Sequence, residues 1–324
     1  MKLLMPLVFL ASLAVNAPAL SQGYATKPIR LVIPFPPGGV DNTVRPLLPN
    51  MEKDLGQPLI LEYRSGAGGI VGLEYVARQP ADGYTLLITL ANSWVVAPTV
   101  RRSTPFDPAK DFTPISLGYE PMGVVVAHPS FGPNDLRELV AWAKQNPGKG
   151  TWATSGTGSS WHINGELFKL RAGFDVVHAP YQGFGPMIPA ILGGQVPLAM
   201  FAYSTIAPNA NAGKVKILGV TNSHPMFRPL IPAGMQALVD LTPGIQTMPD
   251  WIGLAGPAGI PDPIVRRANA AYVRALNEPD VKERFLRDKT VLAGSTPEYF
   301  AERVKSDLAL VARAVKEAGI PLQD

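Results

Sequence analysis

The feature that most constrains this chain is the order of its apolar runs and of the turns between them. "IRLVIPF" (29–35) is a continuous apolar run, the mark of a strand buried on both faces. A Pro-Pro-Gly-Gly turn follows it, then the helix-like segment "NTVRPLLPNMEKDLG" (42–56). "PLILEYR" (58–64) reads as a second strand, "SGAGG" opens the helix "IVGLEYVARQ", and "YTLLITL" (84–90) is a third strand. A βαβαβ order of this kind predicts an α/β fold with a parallel sheet and helices on its faces. A Pro- and Asp-rich loop (103–114) comes next, then the strand "MGVVVAH" (122–128) and the amphipathic helix "NDLRELVAWAKQNPG". Asp135 and Glu138 at the start of that helix and Lys144 near its end suit the helix dipole.

A second series follows: strand "TWATS", helix 160–172, strand "FDVVHAPY", helix "GPMIPAILGG", strand "VPLAMFAY", helix 204–213 and strand "VKILGVTN". "DWIGLAGPAG" (250–259) reads as a crossover back to the first series, and two helices close the chain. Two α/β lobes in series also suit a length of 324 residues, which is long for one core.

Composition narrows the function. The chain is 46% hydrophobic and 17% charged, as a globular protein should be. The net charge of +4 is not concentrated: the densest basic pair, Arg101-Arg102, stands alone, so nucleic-acid binding is not expected. Absence of cysteine removes disulfides, thiolate metal sites, Cys nucleophiles and a Cys-linked lipid anchor together. The N-terminus has Lys2, an apolar run from Leu3 to Val15, and small residues around Ala17-Pro18-Ala19 and Gly23-Tyr24-Ala25. That is the layout of a secretory signal peptide, with an apolar run short of the ~20 residues that span a bilayer. Residues 1–25 are therefore expected to be a leader, and the mature protein to be periplasmic.

The stretch "TWATSGTGSSWHINGELFKL" (151–170) invites three enzymatic readings. A serine elbow needs G-x-S-x-G, but no second Gly follows Ser159 or Ser160. A P-loop needs a Lys after the loop, and none is present. H-E-x-x-H is absent, since Ile163, Asn164 and Gly165 follow His162. "GAGGIVG" (66–72) approaches a dinucleotide fingerprint, but its third Gly is one position late and no acid follows the next strand, so a tight turn is the plainer reading. His128, His162, His178 and His224 lie in separate segments without ligand spacing. Only His162, at the start of a helix after the Ser/Gly loop, stands out, with bracing of the loop and ligand contact both open. No catalytic residue, metal or cofactor is expected.

What remains is anion chemistry without charge. "PFPPGGVDN" (34–42), "SGTGSSWH" (155–162) and "PYQGFGPM" (180–187) each follow a strand and lead into a helix N-terminus. Free N–H groups and the helix dipole favour an anion there, and ligands of open α/β sheets sit outside the carboxyl ends of the strands.

At this level the chain closely resembles the Bug-type periplasmic receptors of tripartite tricarboxylate transporters. The likeness runs through "KPIRLVIPFPPGG", "GQPLILEYRSGAGGIVG", "ADGYTLL", "FDPAKDFTPI", "SGTGSSWHINGELF", "PYQGFGPMIPAILGGQV", "WIGLAGPAGIP" and "AGIP". The resemblance implies a two-lobed type II periplasmic-binding (venus flytrap) fold, each lobe a mainly parallel sheet flanked by helices. It implies a monomer that binds a small carboxylate, often a dicarboxylate, without catalysis, and delivers it to membrane permease subunits. Carried over, the first-lobe contacts are Phe35, Pro36, Pro37, Gly38, Gly39 and Asp41. Those of the second lobe are Ser155, Gly156, Thr157, Gly158, Ser159, Ser160 and His162, with Tyr181, Gly183, Phe184 and Gly185 on the next loop. Asn92, Ser93 and Ala202, just after strands, complete the set. The family usually has two residues between Gly-Gly and Asp in the first loop; here Val40 alone separates Gly39 from Asp41.

The lobes are expected at 26–124 with 249–324, and at 125–248, with crossovers near 120–128 and 246–251. Trp94, Trp161, Phe184, Phe201 and Tyr203 fall in or near segments expected to line the cleft. They raise the option of an aromatic ligand such as terephthalate, against plain core packing. Two rival functions are a periplasmic sensor with a signalling partner, and an exported hydrolase with Ser159 or Ser160 activated by His162.

Overall fold

A computed structural model describes residues 23–38, 40–222 and 224–324. The expected leader, apart from residues 23–25, and the candidate contact Gly39 lie outside the described residues. Among the described residues eleven strands are seen: β1 (Ile29–Ile33), β2 (Leu59–Tyr63), β3 (Thr85–Leu90), β4 (Phe112–Pro121), β5 (Gly123–Ala127), β6 (Thr151–Thr154), β7 (Val177–Pro180), β8 (Leu198–Ala202), β9 (Lys216–Val220), β10 (Ile252–Pro257) and β11 (Thr290–Leu292). They form two sheets, β11-β4-β10-β3-β1-β2 and β7-β6-β8-β5-β9, with helices between successive strands except β4 and β5.

Both sheets are mixed, where mainly parallel ones were expected. β1 pairs in parallel with β2 and β3, but β10 runs antiparallel to β3 and β4, and β11 antiparallel to β4. In the second sheet β6 is parallel to β7 and β8, while β5 is antiparallel to β8 and β9. Apart from the short edge strand β11, the antiparallel strands are those beside the crossings. β4 hands the chain to β5 through Met122 alone, and β10 receives it back from the second sheet. A strand entered from the other sheet runs against those built by local βαβ units.

Sequence reading treated the start of β4 as part of a loop and passed over the rest. Pro114, Ser116 and Gly118 hide its pattern, yet most of the strand is buried. Pro114 faces Ala255 next to a register shift in β10, where a residue without an N–H is tolerated. The helix expected over 42–56 is broken into Asp41–Val44, a 3₁₀ turn Arg45–Leu47 and Leu48–Leu55, as Pro46 and Pro49 require. Helix Ser160–Ala172 falls where expected. Asp135 caps helix Leu136–Gln145 by accepting from the Glu138 N–H at 2.8 Å.

One apolar cluster runs through both sheets. It takes Val32, Leu87 and Trp94 from the first, Val125, Trp152 and Leu198 from the second, and Trp161, Ile163, Trp251 and Phe300 between them. Trp94 meets Phe112, Trp251 and Phe300 edge-on, with ring centroids 5.3, 6.1 and 5.5 Å apart. The core thus fixes helix Ser160–Ala172 of the second sheet against helix Pro297–Glu317, which packs on the first.

Candidate functional site

On the first sheet, the loop after β1 is braced from within. Asp41 is 2% exposed, and its carboxylate accepts from the Gly38 N–H (2.7 Å), the Tyr63 hydroxyl (3.0 Å) and Arg45 Nε (3.2 Å). Burial alone would raise its pKa, but these donors outweigh burial and hold it below the usual carboxylate value. Asp41 therefore fixes the loop's shape. Pro36, Pro37 and Gly38 are exposed on it, and Phe35 is half-buried. Ser93 lies beneath, its hydroxyl donating to the Gly68 carbonyl at 2.9 Å. Gly69 sits between them with φ +100°; a Cβ there would stand 2.3 Å from Ser93 Oγ and 3.4 Å from the Phe35 ring. Only glycine fits that close approach.

On the second sheet, the Ser/Gly loop is also wired to itself. Ser159 caps helix Ser160–Ala172: its Oγ accepts from the His162 N–H (3.2 Å) and donates to the Gly156 carbonyl (2.8 Å). The Gly158 N–H donates to His162 Nδ1 (3.0 Å), and the His162 ring stacks on His178. Burial first, then the neighbouring His178 and Lys169, lower the His162 pKa to about 4. Neutral His162 thus braces the loop, and its Nδ1 is occupied. Ser160 Oγ donates to the Pro249 carbonyl (3.4 Å). With both hydroxyls and Nδ1 so engaged, the Ser–His pairing of the hydrolase reading does not form.

The next two loops are more open. The Tyr181 N–H donates to the Thr154 carbonyl (2.9 Å) and the Gly183 N–H to the Ser155 carbonyl (3.2 Å), which lays loop 181–185 beside loop 155–160. Helix Phe184–Leu192 begins after Gly183 with no side-chain cap, and Gly185 in its first turn is exposed. Helix Tyr203–Asn211, preceded by Ala202, also lacks a side-chain cap. Of these two N-termini and that of Ser160–Ala172, only the last is capped by a side chain.

The two halves meet. Asn92 Oδ1 accepts from the Ser160 N–H at 3.4 Å. A Cβ on Gly158 would stand 2.5 Å from Gln323 Nε2 and 2.9 Å from Val100 Cγ2, and Gln323 Nε2 donates to the exposed Thr157's carbonyl at 2.8 Å. Gly69 against Phe35 and Ser93, Asn92 with Ser160, and Gly183 with Ser155, joined by the chain between them, therefore make one connected line from Phe35 to Phe184. Phe184 continues it to Phe201, 5.6 Å away, next to Ala202.

The aromatic residues divide differently from the sequence expectation. Trp94 is 1% exposed and Phe201 0%, and Trp161, at 6%, packs against Gly123. All three are core. Phe184 and Tyr203 are half-buried, like Phe35. Sequence reasoning passed over Tyr63, Arg45 and His178 as supports of the loops, and Gln323 as a bridge between halves. Tyr63, His178 and Gln323 act on segments distant in the chain, so nothing local marks them; Arg45 stands one helical turn from Asp41, an i,i+4 spacing that could have marked it.

Comparison with known proteins agrees with this architecture. The family described as "Tripartite tricarboxylate transporter family receptor" matches residues 43–306. A UPF0065 protein of Pseudomonas sp. is 33% identical over 88% of this chain and 84% of its own. BugT of Bordetella pertussis is 28% identical over 98% of this chain and 97% of its own. Among solved structures, the periplasmic binding protein BugD superposes with a TM-score of 0.81 at 29% identity, covering 93% of this chain and 100% of its own. An R. palustris protein with adipate gives 0.83 at 27% identity, covering 92% and 99%. MatC from Rhodopseudomonas palustris with bound malate gives 0.78 at 29% identity, covering 90% and 100%. The two-sheet architecture is that of these periplasmic binding proteins, which are receptors and not enzymes, and the chain belongs to the tripartite tricarboxylate transporter receptor family.

Proposed function

We propose that the protein captures a small dicarboxylate between its two sheets and hands it, as a monomer, to the permease of a tripartite transporter. The observation that carries this reading is the line of contacts joining the strand-end loops of both sheets, which includes the uncapped N-terminus of helix Phe184–Leu192. Such an N-terminus favours a carboxylate without a cation beside it. Relatives of the same fold solved with adipate and with malate support the ligand class.

The lobes are 26–124 with 249–324, and 125–248, a division that sheet membership supports to within two residues. They close about the crossings at Met122 and Pro249–Trp251. The ligand contacts are Phe35, Pro36, Pro37, Gly38, Gly39, Asn92 and Ser93 on one side. On the other they are the 155–160 loop, Tyr181, Gly183, Phe184, Gly185 and Ala202. Asp41 and His162 hold these loops in place. An aromatic diacid such as terephthalate would have half-buried Phe35, Tyr181, Phe184 and Tyr203 to lie against, but the relatives solved with adipate and malate favour an aliphatic diacid. Residues 1–25 act as the export signal to the periplasm; among the described residues no helix is long and apolar enough to cross a membrane.

Thermal-shift and calorimetric titration with malate, succinate, adipate and terephthalate tests the reading. A ligand of the folded state raises the melting temperature by mass action. If none of these acids binds, the proposal fails.

A further inference from the structure

We propose that Arg101 makes the cleft prefer ligands with a second carboxylate. This rests on the carboxylate reading above and names the residue that reads the ligand's far end. Arg101 stands where the two halves touch. Its neighbour Val100 lies against Gly158, and the 100–102 segment pairs with Gln323, whose side chain bonds Thr157.

The Arg101 guanidinium makes two long contacts, to the Ala97 carbonyl at 3.3 Å and the Ala67 carbonyl at 3.4 Å. Ala67 belongs to the turn that carries Gly68, the acceptor of Ser93, and Gly69, which abuts Phe35. The cation is therefore held on the turn against which two candidate ligand contacts, Ser93 and Phe35, pack.

Other arginines near this rim are committed to carboxylates. Arg45 is held by Asp41 (3.2 Å), Arg64 by Glu62 (2.6 Å) and Arg102 by Asp324 (2.9 Å). Arg101 has no carboxylate partner among the described residues. A guanidinium carries five N–H donors, and carbonyls satisfy two of Arg101's weakly. A carboxylate arriving at the rim supplies the bidentate acceptor that the fork lacks. One end of a diacid then lies at the helix N-terminus in the second lobe, and the other at Arg101.

Matched acid pairs test this on the wild-type protein, R101Q, R101K and R102Q, by calorimetry: succinate with butyrate, adipate with hexanoate, and terephthalate with benzoate. The wild type is expected to bind at least one diacid about tenfold or more tightly than its monoacid, the usual weight of a charge-assisted hydrogen bond. R101Q brings that ratio close to one while leaving the monoacid's affinity within about twofold. R101K keeps the charge without the fork and falls between, and it gives the same reading should R101Q not fold. R102Q leaves the ratio unchanged. A wild-type ratio near one, a ratio that R101Q and R101K leave intact, or equal losses for diacid and monoacid overturns the role of Arg101 while carboxylate binding stands. Binding of neither acid in any pair overturns the carboxylate reading itself and this inference with it.

Discussion

His162 lies flat on His178, their ring centroids 3.8 Å apart and their planes 14° from parallel. The pair props the Ser/Gly loop from below: His162 Nδ1 accepts from the Gly158 N–H, and His178 Nε2 is 2.7 Å from Thr154 Oγ1. The charged groups around it are Lys169, which burial and two acids hold close, with Glu166 at 3.0 Å and Asp175 at 3.5 Å. Glu166 also approaches His162 Nε2 at 4.0 Å.

Burial, helped by Lys169 and for His162 by its partner ring, lowers both histidines from 6.5 to about 4. Between those values the unfolded chain holds protons that the folded one does not. Their contribution to stability is complete above the unfolded value and is lost as pH falls from about 6.5 toward 4. His162 is buried and His178 half-buried, so with solvent screening at His178 the loss for the pair is on the order of 2 kcal/mol. Melting curves of wild type and of the double variant His162→Gln/His178→Gln across this window check it. The wild type should lose melting temperature on acidification more steeply than the variant. Parallel curves would show that the pair does not titrate with folding.

Arg303 joins the two crossings. It bonds Glu120 at 2.8 Å, at the end of β4, and Asp307 at 2.9 Å, and Asp307 accepts from Trp251 Nε1 at 2.6 Å. Both carboxylates are nearly buried, so removing the cation leaves charge without a partner. Arg303→Gln should cost about 3–5 kcal/mol in urea denaturation, and Glu120→Gln added to it should restore part of that loss. A cost under about 1 kcal/mol would mean that solvent already screens the network.

Gly158 adopts φ +74° where the Ser/Gly loop meets Val100 and Gln323. Alanine there carries a backbone cost of about 1 kcal/mol, and its Cβ collides with Val100. The collision pushes the loop away from the first sheet. Gly158→Ala should weaken ligand binding about tenfold or more, with a smaller relative change in melting temperature. Titration with the tightest-binding diacid, beside a thermal melt, separates the two effects.

The alternation of apolar runs and Gly-bearing turns made the two α/β series legible, because that signal is local. The start of helix Ser160–Ala172 was legible for the same reason: Ser159 is both the loop's end and the cap. β4 was hidden because its burial comes from neighbours on both sides rather than from its own pattern. The antiparallel entries at β5 and β10 depend on where the chain re-enters a sheet, which no window of sequence records. At the site, the loops were visible as glycine and hydroxyl clusters, but the division of labour within them was not. Asp41 reads as a ligand contact in sequence, and only the structure shows Tyr63, Arg45 and Gly38 sharing its oxygens and giving it a bracing role. Trp94 and Phe201 looked like cleft aromatics because a strand end says nothing of which face the next side chain takes.

Asp250 offers a last test, opposite in sign to the histidine pair. It lies just before β10, within the field of Glu120 at the other crossing, and no hydrogen-bonding donor to it is seen among the described residues. Crowding by protein around its carboxyl, then Glu120, raises its pKa from 3.8 to about 7, although part of its surface still reaches water. The folded protein therefore holds a proton there that the unfolded chain releases. That contribution is complete below about 4 and is lost as pH rises through about 7. Asp250→Asn fixes the neutral form. It should raise the melting temperature near pH 8 and change it little near pH 4, so its gain over wild type grows as pH rises from about 4 to about 7, while the histidine variant falls further behind wild type over much the same range. A gain that is the same at both ends of the range would show Asp250 to be ionised throughout, and would remove it from any coupling between the crossings.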